Sequence, residues 1–123
     1  MNLEFDFYHL YSVFDDNGDW QALLPNRKLA GNIGDFFSER TGRGYRVRDE
    51  GVRNPLTLES QGPASKLPFF YRVGGADEQN KIDWWLGSFA SYLDAKHYYY
   101  YGSCEVILCE PCVLRKIQPG REL

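Results

Sequence analysis

The chain has 123 residues and a net charge of −3; 43% of its residues are hydrophobic, 25% charged and 16% aromatic. These values are typical of one folded domain and exclude a largely disordered chain. We predict one domain over residues 1–117 and a loose tail over residues 118–123. No secretion signal and no apolar run of membrane-spanning length is present. We therefore expect a cytoplasmic protein that does not contact a membrane.

Charge is distributed unevenly along the chain. Residues 1–24 contain five acidic residues and no basic residue, whereas residues 25–53 contain seven basic and four acidic residues. This asymmetry predicts two surfaces of opposite sign, which bears on the choice of partners rather than on the fold.

The first predicted elements are a hairpin and a helix. Aromatic and aliphatic residues dominate residues 3–24, and Asn17-Gly18 is typical of a tight turn between two antiparallel strands. A short helix is then predicted from Asn32, as its N-cap, to Gly42.

The middle of the chain predicts short strands. "GYRVR" and "PLTLES" are predicted as strands joined by a charged turn, and "FFYRV" as another strand. The composition of "QGPASKLP" indicates a loop, and "GGADEQ" indicates a flexible break.

Apolar residues at three- and four-residue spacing predict a helix over residues 79–97. The four tyrosines at 98–101 follow where this helix gives way to a strand; if they are extended, alternate rings lie on opposite faces. "CEVILCEPCVLRKI" predicts one or two further strands. We therefore expect an α+β fold, a mostly antiparallel sheet of about five or six strands with two helices packed on it.

The segment "ERTGRGYRVR" is the first candidate binding surface. Strand alternation places Arg46 and Arg48 on one face, with Arg43 just upstream between two glycines. Guanidinium groups bind carboxylates and phosphates through paired hydrogen bonds. An acidic protein surface suits this segment better than nucleic acid does, because the chain is acidic overall and its first hairpin carries no base. Solvated arginines on an ordinary exposed strand are the alternative.

The tyrosine run is the second candidate binding surface. If one pair of rings packs inward, Tyr99 and Tyr101 project outward and offer rigid aromatic area to a partner. The alternative is a strand in which both pairs are partly buried for packing. An exposed aromatic patch could also be the interface of a homodimer.

Metal, redox and cofactor chemistry have little support in the sequence. Cys109 and Cys112 have the spacing of zinc and redox motifs, but only Cys104 and distant histidines remain to complete a ligand set. We expect no metal, no cofactor and no catalytic residue.

Two segments, "FYHLYS" and "GSFASYLDAKHY", resemble the opening histidine strand and the strand-then-helix element of ADP-ribosyltransferases. The resemblance implies that His9 holds the nicotinamide ribose, that Tyr92 or a ring of Tyr98–Tyr101 stacks on nicotinamide, and that Glu105 is the catalytic glutamate. Leu10 stands where that family has a glycine.

We expect a non-enzymatic binding protein that inhibits or neutralises a macromolecular partner, and we favour a protein with an acidic patch as that partner. Bacterial or phage immunity factors and anti-defence proteins have this composition. The alternatives are an enzyme that uses NAD, as the resemblance implies, and a single-strand nucleic-acid binder that stacks bases on the tyrosines.

Overall fold

A computed structural model of the protein describes residues 7–76, 82–101 and 112–119. The strands in these ranges are β1 (Tyr8–Asp15), β2 (Trp20–Leu24), β3 (Tyr45–Arg53), β4 (Phe70–Ala76), β5 (Ile82–Phe89) and β6 (Cys112–Ile117). They form one sheet in the order β3-β1-β2-β5-β4-β6, in which every neighbouring pair is antiparallel.

The helices in the described ranges are α1 (Arg27–Thr41), α2 (Pro55–Gln61), α3 (Tyr92–Tyr101) and a short 3-10 helix at Pro63–Lys66. The predicted α+β class with a mostly antiparallel sheet is confirmed, with three α-helices where two were predicted. No helix within these ranges has both the length and the apolar character needed to cross a lipid bilayer.

The β1–β2 hairpin turns where the sequence predicted. Gly18 has a φ of 83°, a conformation that glycine adopts without steric cost. The buried Asp15 carboxylate accepts hydrogen bonds from the backbone N–H groups of Asn17 (3.0 Å) and Asp19 (2.9 Å). These bonds close the turn and hold an acidic loop at the end of the hairpin.

Helix α1 begins earlier than predicted. Its N-cap is Asn26, whose side-chain oxygen accepts a hydrogen bond from the Leu29 N–H at 2.7 Å, so the predicted start at Asn32 was wrong. Its end was predicted correctly, because Gly42 adopts a left-handed conformation with a φ of 72° and caps the helix.

Both faces of the sheet are covered by helices. The core between the sheet and helices α1 and α3 consists of Val13, Ala22, Leu24, Leu29, Ala30, Ile33, Phe37, Val73, Phe89, Ala95 and Tyr98. The opposite core, under α2 and the 3-10 helix, consists of Leu10, Phe14, Trp20, Leu23, Leu58, Ala64, Phe70, Trp85 and Ile117. Strand alternation separates the two sets, since neighbouring residues on one strand face opposite sides. Register irregularities in the β1–β2 and β4–β5 pairs place Trp20 and Trp85 on the side opposite to Ala22 and Phe89.

A charged network lies inside the second core. Glu59 of α2 and Arg72 of β4 are 3% and 2% exposed, and the Arg72 Nε donates to both Glu59 carboxylate oxygens at 3.0 and 3.2 Å. The Ser88 hydroxyl also donates to Glu59, and the Trp85 Nε1 donates to Ser88 at 2.8 Å. The network therefore joins α2 to β4 and β5.

Three further predicted elements differ from the structure where it describes them. "PLTLES" forms α2 rather than a strand, because Asn54 caps the N-terminus, with its side chain accepting from the Leu56 N–H at 2.9 Å, and Pro55 occupies the first turn. The predicted "QGPASKLP" loop contains the 3-10 helix, and Gly74–Ala76 of the predicted break belong to β4.

Of the helix predicted over residues 79–97, the described residues 82–89 form strand β5 instead, whereas residues 92–97 belong to helix α3 as predicted. The four tyrosines are the last residues of α3, so the run is helical and the alternating faces of an extended run do not apply. Tyr98 is fully buried; its ring centroid lies 5.1 Å from that of Phe89, and its hydroxyl donates to the Leu86 carbonyl at 3.0 Å. An added Cβ at Gly87 would lie 3.3 Å from the Tyr98 ring, so glycine allows this close approach.

We predict that Glu59→Gln lowers the free energy of unfolding by about 3–5 kcal/mol, because it removes the charge of a carboxylate that is paired with the buried Arg72 guanidinium. Urea denaturation followed by fluorescence measures this loss. Glu39→Gln, on the exposed surface of α1, is the matched control and is expected to change stability little. Equal stabilities of the two variants would contradict a structural role for the buried pair.

Candidate functional site

The structure brings the predicted arginines to one end of the sheet. Arg46 and Arg48 lie on β3, the edge strand whose only neighbour among the described residues is β1. They pair with Phe14 and Ser12 of β1 and therefore lie on the face toward α2. Arg43 lies in the connection between α1 and β3.

The predicted arginines differ in their intramolecular partners. Arg43 Nη2 lies 2.6 Å from the Asp16 carboxylate, and Arg48 donates to both oxygens of Glu50 at 2.6 and 3.2 Å. Hydrogen bonding to these carboxylates raises the pKa of both guanidinium groups. The Arg48 guanidinium also lies 4.4 Å from the Phe14 ring centroid. Arg46 is exposed and forms no ion pair with any residue that the structure describes.

A third arginine joins Arg46 and Arg48 on the α2 side of β3. Gly51, with a φ of 80°, lies at an irregularity in the β1–β3 register, and beyond it Arg53 pairs with Tyr8. Strict alternation from Arg48 puts Arg53 on the other face, so the sequence analysis missed this residue. The signal that would have found it is the glycine, since a glycine inside a strand often marks a bulge. We call Arg46, Arg48 and Arg53 the arginine face.

A cleft of about 400 Å³ lies beside the arginine face. One wall is the stretch of β3 from Arg48 to Arg53, and the other is the end of α2 with Gly62 and Pro63. Leu58 supplies apolar surface between these walls. The cleft was not predicted from the sequence, because one of its walls is α2 and the residues of α2 were predicted as a strand.

Tyr99 and Tyr101 are not brought to the arginine face. They belong to α3, which packs on the opposite face of the sheet through Ala95 and Tyr98. The side chains of Tyr99 and Tyr101 lie outside the described part of the structure, so their role as outward aromatic contacts stays a prediction.

His9, which the resemblance assigns to nicotinamide ribose, is an exposed residue of β1. Its Nε2 lies 2.7 Å from the Asp49 carboxylate, and its ring stacks on Tyr11 with centroids 4.8 Å apart. The strand-then-helix element is present as β5 and α3, and Tyr92 contacts Tyr71 of β4. His9 lies on β1, and the Tyr71 that Tyr92 contacts lies on β4. These two strands are three strand spacings apart, about 14 Å. Glu105 lies outside the described residues.

The cysteine motif falls largely outside the described residues. Cys104 and Cys109 lie in the undescribed range, and Cys112 is the first residue of β6. Within the described ranges, no group of three or more His, Cys, Asp or Glu side chains is placed to hold a metal ion.

Comparison of the chain with models of known families, with curated proteins and with solved structures found no match. The features that bear on function are the arginine face, the cleft and the edge of β3 that no described strand pairs with.

We predict that Asp49 makes folding stability depend on pH in the acidic range. Hydrogen bonds from the Gly51 N–H and from His9 lower the pKa of Asp49 below its ordinary value of 3.8. The stabilisation is therefore present above that value and is lost as the pH falls through the lower pKa of the folded state.

Urea denaturation of Asp49→Asn across the range from about pH 6 to about pH 2 tests this dependence. The variant is expected to be less stable than the parent at the upper end, with the difference disappearing at the lower end. Asp35→Asn, on the exposed surface of α1, is the control. A constant stability difference across the whole range would contradict the assignment.

Proposed function

We propose that the chain is a non-enzymatic binding protein that inhibits or neutralises a protein partner by pairing the edge of β3 with an acidic strand of that partner. The observation that carries the proposal is the outer edge of β3, which is unpaired among the described residues. Nine residues of extended backbone span about 30 Å. Such an edge offers a row of N–H and C=O groups to an added strand.

The charges on β3 favour an acidic partner strand. Arg46 and Arg53 are exposed and form no ion pair with a described residue, so both guanidinium groups can bind carboxylates without first losing an internal partner. Charged side chains on an edge strand also discourage unselective pairing with other strands. Carboxylates on a partner strand would pair with these arginines and so favour that strand over strands without acidic residues.

The cleft beside β3 supports the same proposal. Its volume of about 400 Å³ is at the low end of the range for ligand pockets, which suits a side chain of a bound strand. Alternate side chains of a strand paired with β3 would point toward this face of the sheet. One of them would then reach Leu58 between the guanidinium groups of Arg48 and Arg53.

A tagged pull-down from a bacterial lysate at moderate salt, with nuclease treatment, identifies the partner by mass spectrometry. We expect one protein at a stoichiometric ratio, with an acidic segment. Recovery of a nucleic acid that nuclease treatment removes, with affinity that falls steeply as salt rises, would contradict the proposal. A rise in melting temperature on addition of NAD would favour the enzymatic alternative instead.

We predict that Arg46→Glu weakens binding of that protein partner by about tenfold or more, because it places a carboxylate opposite carboxylates. The melting temperature is expected to stay nearly unchanged, since Arg46 is exposed and has no ion pair to lose within the described residues. Arg48 is less suitable for this test, because charge reversal there would place a carboxylate beside Glu50 and remove the contact with Phe14.

Isothermal titration of the partner with the parent and with Arg46→Glu measures the effect. Lys66→Glu makes the same charge change on the 3-10 helix and is the control, because Lys66 does not line the cleft or lie on β3. Equal losses of affinity in both variants would indicate a general charge effect. Unchanged affinity in Arg46→Glu would exclude the arginine face as the binding site.

A further inference from the structure

Three aromatic side chains form a continuous strip at the other end of the sheet. The ring centroids of Phe69 and Tyr71 are 6.0 Å apart, and those of Tyr71 and Tyr92 are 5.5 Å apart, both edge-to-face. Phe69 immediately precedes β4, Tyr71 is the second residue of β4, and Tyr92 is the first residue of α3. We call Phe69, Tyr71 and Tyr92 the aromatic strip.

The aromatic strip is accessible from outside. Phe69 is 36% exposed and Tyr92 is 46% exposed, and the neighbouring Leu93 is 69% exposed. Large apolar side chains that cluster at the surface mark interaction sites more often than single exposed ones do. The strip therefore offers rigid aromatic area to a partner, and Leu93 is a further exposed apolar side chain in the first turn of α3.

Each end of the strip carries a lysine. The Lys116 ammonium lies 4.0 Å from the Phe69 ring centroid, and the Lys96 ammonium lies 5.9 Å from that of Tyr92. Neither lysine forms an ion pair with a residue in the described ranges. Asp94, the nearest carboxylate along α3, is 4% exposed and is bound to Arg40 of α1. The positive charge at the strip is therefore not balanced by that carboxylate.

The strip is separate from the arginine face. Tyr71 and Tyr92 lie on the side of the sheet that α3 covers, whereas the arginine face lies on the side that α2 covers. The two surfaces also lie at opposite ends of the strand order, β3 at one end and the β4–β6 pair at the other. Binding of a ligand at the aromatic strip would thus not interfere with pairing of a partner strand to β3.

We infer that the aromatic strip is a second binding site, which takes an acidic linear peptide segment of a protein. Its aromatic side chains contact an apolar residue of the peptide, and Lys96 and Lys116 bind carboxylates on either side of that residue. The two ammonium groups are single point charges at opposite ends of the strip, which suits separate carboxylates of a peptide better than the continuous phosphate chain of a nucleic acid.

Selection from a displayed library of random linear peptides against the full chain tests this inference. We expect enriched peptides that combine aspartate or glutamate with an apolar residue. A Lys96→Glu/Lys116→Glu double variant is expected to bind these peptides at least about tenfold more weakly. Both lysines are exposed, so the double variant is expected to keep the parent melting temperature.

Lys66→Glu, which lies away from the strip on the α2 side of the sheet, is the control and is expected to bind the peptides as the parent does. Tyr92→Ser removes aromatic area without changing charge and is expected to weaken the same peptides. Failure to enrich any peptide, or enriched peptides that the lysine and tyrosine changes leave unaffected, would overturn the inference. Binding of a deoxythymidine oligonucleotide that the double variant abolishes would also overturn it, in favour of a nucleic acid.

Discussion

The buried ion pair between Glu59 and Arg72 is the interaction on which the described structure depends most. Both groups are almost inaccessible to water, and a buried charge is tolerated only when it is paired and hydrogen-bonded. Glu59 receives hydrogen bonds from Arg72 and Ser88, so α2 has a defined position over β4 and β5. That position places the end of α2 opposite β3 and forms the cleft. The proposed binding site therefore depends on a pair that lies outside it.

The net charge of the chain does not describe the local charge of its surface, because several carboxylates are buried. Asp15, Glu59 and Asp94 are all buried, and each lies beside a guanidinium group. Meanwhile exposed cations remain without ion pairs in the described part of the chain, at the arginine face and at the aromatic strip. An acidic chain thus presents locally positive surfaces at opposite ends of one sheet. Such a distribution suits two acidic protein segments better than one extended polyanion.

The elements that depend only on residues close together in the chain could be predicted from the sequence. The hairpin turn, the end of α1 and the alternation of Arg46 and Arg48 all follow from neighbouring residues. Strand β5 was mistaken for a helix because Trp85, Leu86 and Phe89 have helical spacing. That spacing instead reflects a strand that is buried on both faces and interrupted by a register irregularity, with Trp85 in one core and Phe89 in the other. Arg53 was missed because a bulge changes its face. The aromatic strip was missed because its rings come from segments that meet only in the folded chain.

Amide hydrogen exchange on the complex with the captured protein partner tests the central claim most directly. Exchange reports which backbone N–H groups are protected by new hydrogen bonds. If a partner strand pairs with β3, exchange of amides in residues 45–53 slows on binding, while amides in the centre of the sheet change little. Protection confined to α3 or to other surfaces, with unchanged exchange in β3, would contradict the account.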